Sequence, residues 1–136
     1  GFVFSAGLIC VSVIDFLGRY YMGCPKKDVR CRFICWLLSY MRPPFNKYLA
    51  NKFYKDFRNG LVHECRIKNG GEFSLNEEVV IKESDGFLIV NPKKLLDEIQ
   101  RAFDKKYIAE LEKNDALFEE FKNCLKNEFE DDFKKR

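Results

Sequence analysis

The residues of this chain that could carry out chemistry lie within one short segment, Arg58-Asn59-Gly60-Leu61-Val62-His63. An imidazole can accept or donate a proton near neutral pH. A guanidinium can hold a phosphate through paired N–H donors and stabilise the charge that develops on it. Asn59 precedes His63 by one helical turn, so its amide could orient either the imidazole or a phosphate oxygen.

Such a set of groups suits metal-independent cleavage of RNA by its own 2′-hydroxyl. His63 would act as base or acid, and Arg58 would bind the phosphate and stabilise its pentacovalent form. The chain has one histidine, and a single imidazole cannot easily serve as both base and acid. A two-fold homodimer would bring a second Arg58 and His63 to the same groove. No cofactor is expected, because the sequence has no Gly-rich phosphate loop.

These residues are predicted to lie on a helix that covers about residues 46–67. Apolar residues recur there at every fourth position, namely Leu49, Phe53, Phe57, Leu61 and Cys65. On a helical wheel Arg58 falls at the border of this stripe, and the opposite face holds Lys52, Lys55, Asp56, Asn59, His63 and Arg66. Asn59, Lys52, Lys55 and Arg66 are therefore candidates for binding or orienting RNA or phosphate. The alternative is an ordinary solvated polar face.

Gly60 lies in the middle of this helix, where glycine costs about 1 kcal/mol relative to alanine. One use of that cost is to let another backbone, a partner helix or a phosphate approach closely. A neutral surface glycine, or a bend in the helix, would explain the residue equally well.

The rest of the chain predicts an all-α fold, an antiparallel bundle of about five helices with a small β-hairpin insertion. Periodicity and breakers place the helices at about 2–21, 28–41, 46–67, 91–113 and 115–134. Two β-branched runs at 79–82 and 87–90 flank Ser84-Asp85-Gly86, which is a hairpin signal. We expect Asp28 and Asn91 to be N-caps and the core to be rich in phenylalanine. Nothing indicates a second domain, so 1–136 is predicted to be one domain.

Charge is distributed unevenly along the chain. Residues 1–71 hold 12 Lys/Arg and 4 Asp/Glu, a balance of +8, whereas residues 72–136 hold 12 Lys/Arg and 17 Asp/Glu, a balance of −5. A positive field around the Arg58 segment would attract a phosphate backbone. The alternative is that the asymmetry helps two halves to pack or dimerise.

The N-terminal segment and the cysteines bear on where the protein acts. The apolar run before Asp15 has 14 residues, fewer than the roughly 20 that span a bilayer. We therefore expect no membrane contact and a buried helix, either in the core or in a dimer interface. Because the helix is apolar nearly all round, it is predicted to be central and doubly covered. The chain starts at Gly1, so an upstream helix could be missing. The six cysteines form no CxxC pair and no zinc pattern. Free thiols in the cytoplasm are predicted, with a stray disulfide or metal site as the alternative.

The segment Phe57–Glu64 resembles the Rx4–6H motif of the HEPN superfamily, with Arg58, the polar Asn59 and His63 in the motif positions. The resemblance implies a helical bundle that dimerises with its two motifs facing each other across a cleft. Many members are metal-independent endoribonucleases, often toxins of toxin–antitoxin or defence systems. Others are non-catalytic partners of minimal nucleotidyltransferases, which implies a possible nucleotidyltransferase-type antitoxin. Cys65 stands where one toxin type has a modifiable tyrosine, so that mode of control is not expected.

Overall fold

A computed structural model describes residues 2–20, 28–64 and 66–134, with side chains up to residue 126 except that of Cys124. The chain is mainly α-helical, as predicted. The described residues form five helices, of which α1 is Phe2–Arg19, α2 is Val29–Tyr40 and α5 is Asp115–Lys134. The other two each contain a π-helical turn between two α-helical parts. Helix α3 consists of Lys47–Phe53, the turn Tyr54–Arg58 and Asn59–Glu64, and α4 consists of Pro92–Ala102, the turn Phe103–Tyr107 and Ile108–Lys113. The predicted break at residues 23–25 lies outside the described residues.

Short polar side chains begin four of these helices, including α5, where the side chain of Asn114 accepts a hydrogen bond from the backbone N–H of Leu117 at 3.0 Å. The side chain of Asp28 accepts a hydrogen bond from the backbone N–H of Cys31, and Asn46 does the same for Leu49. Asn91 accepts from two backbone N–H groups of α4, whose first residue is proline. The N-caps predicted at Asp28 and Asn91 are therefore confirmed.

A small sheet separates α3 from α4. Strands β2 (Ile81–Ser84) and β3 (Phe87–Val90) pair antiparallel around Asp85 and Gly86, which both have positive φ angles, 53° and 81°, as a type I′ turn requires. The hairpin is thus confirmed, although β2 begins two residues later than predicted. Sequence analysis missed β1 (Glu72–Phe73), which pairs parallel to β3 and makes the sheet mixed.

Aromatic side chains fill the core. Phe33, Phe53 and Phe57 are each no more than 1% exposed, and successive rings along this row lie 6.0 and 5.2 Å apart. Phe57 also contacts Phe73 of β1 at 5.1 Å between ring centroids. This row of rings confirms the predicted Phe-rich core and fixes α3 between α2 and the sheet.

Two turns of π-helix, Tyr54–Arg58 in α3 and Phe103–Tyr107 in α4, coincide with apolar repeats of four residues. On an α-helix each four-residue step drifts by about 40°, so a long repeat of that kind would wind out of the core. A π-helical turn is wider and counters the drift. It keeps two sets of side chains facing the core, Leu49, Phe53, Phe57 and Leu61 in α3 and Leu95, Ile99, Phe103, Tyr107 and Leu111 in α4.

Helix α1 packs against α2 and α4 through one face only, which corrects the expectation of a doubly covered helix. Cys10 and Ile14 are fully buried, whereas Phe2, Ile9 and Phe16 are exposed. By length and composition α1 is apolar enough to cross a membrane, and 33% of it is buried inside the protein. A helix that packs on the core through one apolar face can meet the same criterion of length and composition.

The cysteines differ from one another. Cys10 is buried and free, as predicted, and Cys35 is also free. Cys31 is disulfide-bonded, so the prediction of free thiols is wrong at this position. The Sγ atoms of Cys31 and Cys35 lie 3.6 Å apart. Cys24, Cys65 and the side chain of Cys124 lie outside the described part of the chain.

Candidate functional site

Arg58 is the last residue of the π-helical turn in α3, and three neighbours hold its guanidinium. Its Nε donates to Oδ1 of Asp15 at 3.0 Å, and its Nη1 donates to Oδ1 of Asn59 at 3.3 Å. The guanidinium carbon lies 5.4 Å from the centre of the Tyr54 ring, within the range of a cation–π contact. The side chain is 11% exposed. Arg58 therefore lies at the border of the apolar stripe, as the wheel predicted, in a fixed orientation.

Asp15 reaches this site from α1, 43 residues away in sequence. Its side chain is 14% exposed, and its second oxygen faces the Arg19 guanidinium at 3.8 Å. Two guanidinium groups from different helices thus face this partly buried carboxylate. Sequence analysis treated Asp15 only as the end of an apolar run. The available signal was that it is the one acidic residue of an otherwise apolar helix.

His63 lies one turn beyond Asn59, in the final α-helical part of α3. Its side chain is exposed and makes no hydrogen bond or ion pair to any described residue. The prediction that His63 points away from the core is thus confirmed. Asn59 is half-buried and its amide oxygen accepts from Arg58, so this amide orients the guanidinium and not the imidazole.

The candidate cationic residues around the motif differ in their surroundings. The Lys52 ammonium lies 3.2 Å from the Asp56 carboxylate and is 20% exposed. Arg66 donates from Nε to Glu64 at 2.8 Å. Lys55 is exposed and makes no ion pair within the described residues. Carboxylates thus offset the charges of Lys52, Arg58 and Arg66, whereas Lys55 has no such partner among the described residues.

Glu64 forms ion pairs with two cations at the end of α3. Its carboxylate lies 2.8 Å from the Lys68 ammonium and 2.8 Å from Nη2 of Arg66. The hydrogen bond from Lys68 and the nearby positive charges lower the pKa of Glu64. Arg66 itself follows the end of the helix instead of continuing its polar face, which corrects the wheel. Its N–H donates to the carbonyl of Gly60 at 3.2 Å.

Asp56 is completely buried, although the wheel placed it on the polar face. The π-helical turn that contains Asp56 changes the angular position of its residues, and a regular α-helical wheel does not account for that change. The Asp56 carboxylate accepts a hydrogen bond from the Asn69 amide, and its backbone carbonyl accepts from Lys68 N–H at 2.8 Å. Asp56 therefore fastens the segment after α3 to the helix.

Gly60 provides the close approach that its position suggested, and the approaching backbone belongs to the same chain. A Cβ added at Gly60 would lie 2.2 Å from the carbonyl oxygen of Arg66 and 3.1 Å from Cγ of Lys68. Glycine is needed here because the chain turns back across the helix at this point. This return places Arg66 and Lys68 beside the helix end that carries His63.

The arrangement combines an oriented guanidinium with an exposed imidazole on one helix, a pair that can bind a phosphate and transfer a proton. Within the described residues, no group of three or more His, Cys, Asp or Glu side chains could hold a metal ion. No family model, curated protein or solved structure matches this chain significantly. The site's own geometry is therefore the basis for a functional proposal.

Proposed function

We propose that this protein is a metal-independent endoribonuclease of HEPN type that acts as a homodimer. The observation that carries the proposal is the Arg58 guanidinium, which Asp15 and Asn59 hold in place on the helix that presents His63 to solvent. A guanidinium fixed before substrate arrives needs less reorganisation to stabilise charge on a phosphate. A toxin or defence role fits this activity, with the cytoplasm as the site of action and a nucleotidyltransferase-type antitoxin as a possible partner.

The donors of Arg58 suffice for both tasks. An arginine carries five N–H donors, and one points to Asp15 and one to Asn59. Three therefore remain for the non-bridging oxygens of a phosphate. Lys55, exposed on the same helix, would add attraction to the RNA backbone.

In the proposed reaction, the 2′-oxygen forms a bond to phosphorus and the bond from phosphorus to the 5′-oxygen breaks. The imidazole of His63 takes the proton of the 2′-hydroxyl, and the partner's His63, already protonated, gives a proton to the leaving 5′-oxygen. Arg58 stabilises the pentacovalent phosphate between these steps. The products are a 2′,3′-cyclic phosphate and a 5′-hydroxyl, and water and metal ions take no part.

The decisive experiment incubates the purified, tag-free chain with single-stranded RNA in EDTA, beside Arg58→Ala and His63→Ala. Both variants should lose at least about a hundredfold in rate. Arg101→Ala is the matched control, because Arg101 is an exposed arginine of α4 paired with Glu98, and it should cleave normally. RNA with 2′-deoxy sugars should resist cleavage. Equal cleavage by the wild type and both site variants would refute the proposal.

A second candidate is a non-catalytic RNA- or nucleotide-binding module that partners a minimal nucleotidyltransferase. The pairing of Arg58, Lys52 and Arg66 with carboxylates favours it, because each pair reduces the field available to a substrate. If this second candidate is correct, the protein binds RNA without cleaving it, and His63→Ala binds RNA as tightly as the wild type does. Fluorescence anisotropy with the same oligonucleotide measures this binding. The endoribonuclease proposal requires in addition that cleavage products appear, so the two candidates can be distinguished.

The proposed domain is one HEPN-like unit over residues 1–136, with its five helices in an antiparallel bundle. The continuous hydrophobic core among the described residues supports this arrangement, because it joins side chains from all five helices and from the hairpin. Limited proteolysis tests the assignment. A single domain should yield one resistant fragment that retains both α1 and α4.

A further inference from the structure

The outer face of α1 carries large apolar side chains at a spacing of seven residues. Phe2, Ile9 and Phe16 are 80%, 58% and 49% exposed. Ser5 and Ser12 follow the first two by three residues and are also exposed. Large residues at one heptad position and small ones three residues later form the knobs and holes through which two helices pair. We call this surface the heptad face.

The heptad face is suited to a contact that excludes water. The hydroxyl of Ser12 donates to the carbonyl of Leu8 at 2.8 Å, so covering it leaves no unsatisfied donor. Asp15 lies beside this face but turns to Arg58 of α3. Between Phe2 and Ser12 the face carries no charged residue.

We propose that the heptad face pairs with the same face of a second copy, antiparallel, about a two-fold axis through Ile9. Phe2 and Phe16 each lie seven residues from Ile9, or about 10 Å along the helix. A two-fold axis at Ile9 therefore places Phe2 against the partner's Phe16 at both ends of the contact. This inference rests on the homodimer of the proposed function and specifies the surface that forms it.

The area available is enough for such a dimer. Leu8, 38% exposed, flanks the heptad face, whereas Phe4 turns toward Phe73 of the sheet. With Leu8, the exposed apolar side chains of the face offer about 400 Å² per copy, taking 150–250 Å² for each aromatic side chain. Two copies would bury about 800 Å², the size of a weak, concentration-dependent dimer.

Insertion of α1 into a membrane is the competing explanation for its apolar face. The opposite face of α1 packs against α2 and α4 and carries the ion pair from Asp15 to Arg58. Membrane insertion of the whole helix would break these contacts and bury the Asp15 charge in hydrocarbon. A second protein copy covers the exposed half of α1 and leaves the rest of its packing unchanged.

The test compares Ile9→Arg with Leu96→Arg in the full chain by sedimentation velocity. Leu96 is a matched control, because it is 46% exposed on α4. Ile9→Arg should raise the dimer dissociation constant at least about a hundredfold, since two introduced guanidinium groups would meet at the axis. Leu96→Arg should leave it unchanged, and both variants should keep the wild-type far-ultraviolet circular dichroism spectrum, which shows that they fold.

A second measurement locates the contact itself. Ile9→Cys should form a covalent dimer under mild oxidation, beyond any seen with the wild type, and Leu96→Cys should not. A wild type that stays monomeric at about 50 µM, or a dimer insensitive to Ile9→Arg, would overturn the inference. So would a monomer that binds phosphatidylcholine–phosphatidylglycerol vesicles through Ile9. If the wild-type chain dimerises through Ile9 but does not cleave RNA, only the enzymatic proposal is overturned and the dimer surface stands.

Discussion

The carboxylate of Asp15 accepts the Nε–H of Arg58 at 3.0 Å and joins α1 to the π-helical turn of α3. Both side chains are nearly covered, at 14% and 11% exposure, so solvent screens the pair only partly. The contact fixes the orientation of Arg58 while it offsets the arginine's charge. The same bond thus contributes to the fold and fixes the direction in which the guanidinium points.

Removal of either partner of this pair should destabilise the protein. Asp15→Ala and Arg58→Ala should each cost about 2–3 kcal/mol in free energy of unfolding. Asp15→Ala leaves the largely covered guanidinium of Arg58 without its carboxylate, and Arg58→Ala leaves Asp15 with only the longer contact to Arg19. The double variant should cost less than the sum of the two, with a coupling of about 1–3 kcal/mol. Urea unfolding of the three variants measures these values. Asp97→Ala, at an exposed carboxylate of α4, is the control, and simple additivity would contradict the pairing.

Asp56 should anchor the segment that follows α3. Asp56→Ala removes a buried carboxylate that faces Lys52 and accepts from Asn69. We expect a loss of about 3–5 kcal/mol, because the Lys52 ammonium is left half-buried and unpaired. Hydrogen exchange should also accelerate at residues 66–71. Asp104→Ala changes an exposed aspartate of the second π-helical turn and should change the free energy of unfolding by less than about 0.5 kcal/mol. Similar effects of the two variants would refute this role.

Gly60→Ala should lower stability although alanine is the better helix former. Helix propensity alone would stabilise the variant by about 1 kcal/mol. The new Cβ, however, would lie 2.2 Å from the Arg66 carbonyl oxygen, so the return of the chain must shift. We expect a net loss of about 1–3 kcal/mol, measured by thermal unfolding. Glu112→Ala, at an exposed helical position of α4, controls for alanine itself, and a stabilised Gly60→Ala would contradict the close approach.

Cys10 should make the fold sensitive to alkaline pH. Burial disfavours the thiolate and raises the pKa of this thiol from 9.0 to about 11. Because the folded pKa lies above the unfolded one, the stabilisation is complete below pH 9 and is lost as pH rises toward 11, by at most about 2–3 kcal/mol.

The measurement for Cys10 compares urea unfolding of the wild type and Cys10→Ala at pH 8, 9.5 and 10.5. The variant keeps every other titrating group, so the difference between the two chains isolates the thiol. The stability of the wild type should fall more steeply than that of the variant between pH 9 and 11. Parallel curves would show that Cys10 does not titrate as its burial predicts.

Several local features of the fold could be predicted from the sequence because each depends on neighbouring residues. The caps Asp28 and Asn91 act within one helical turn, and the Asp85-Gly86 pair adopts the left-handed angles of its turn. The four-residue apolar repeats also contained the signal for both π-helical turns, since such a repeat cannot stay on one face of a regular α-helix. The outward position of His63 followed from the same periodicity.

The pairings of charged groups depended on tertiary structure. Asp15 meets Arg58 only because α1 crosses α3 at this point. Lys52 and Asp56 are one turn apart on the same helix, but only the packing of the core buries the Asp56 carboxylate between its neighbours. A helical wheel assigns each residue a direction from its own helix and contains nothing about the charge that a distant element brings there. The sequence by itself determined the helices, the hairpin and the presence of Arg58 and His63 on one of them. Tertiary structure decided which cations are buried in ion pairs and which remain exposed. The physical reason is that a buried charge is stable only beside a partner of opposite charge, and the fold brings that partner into place.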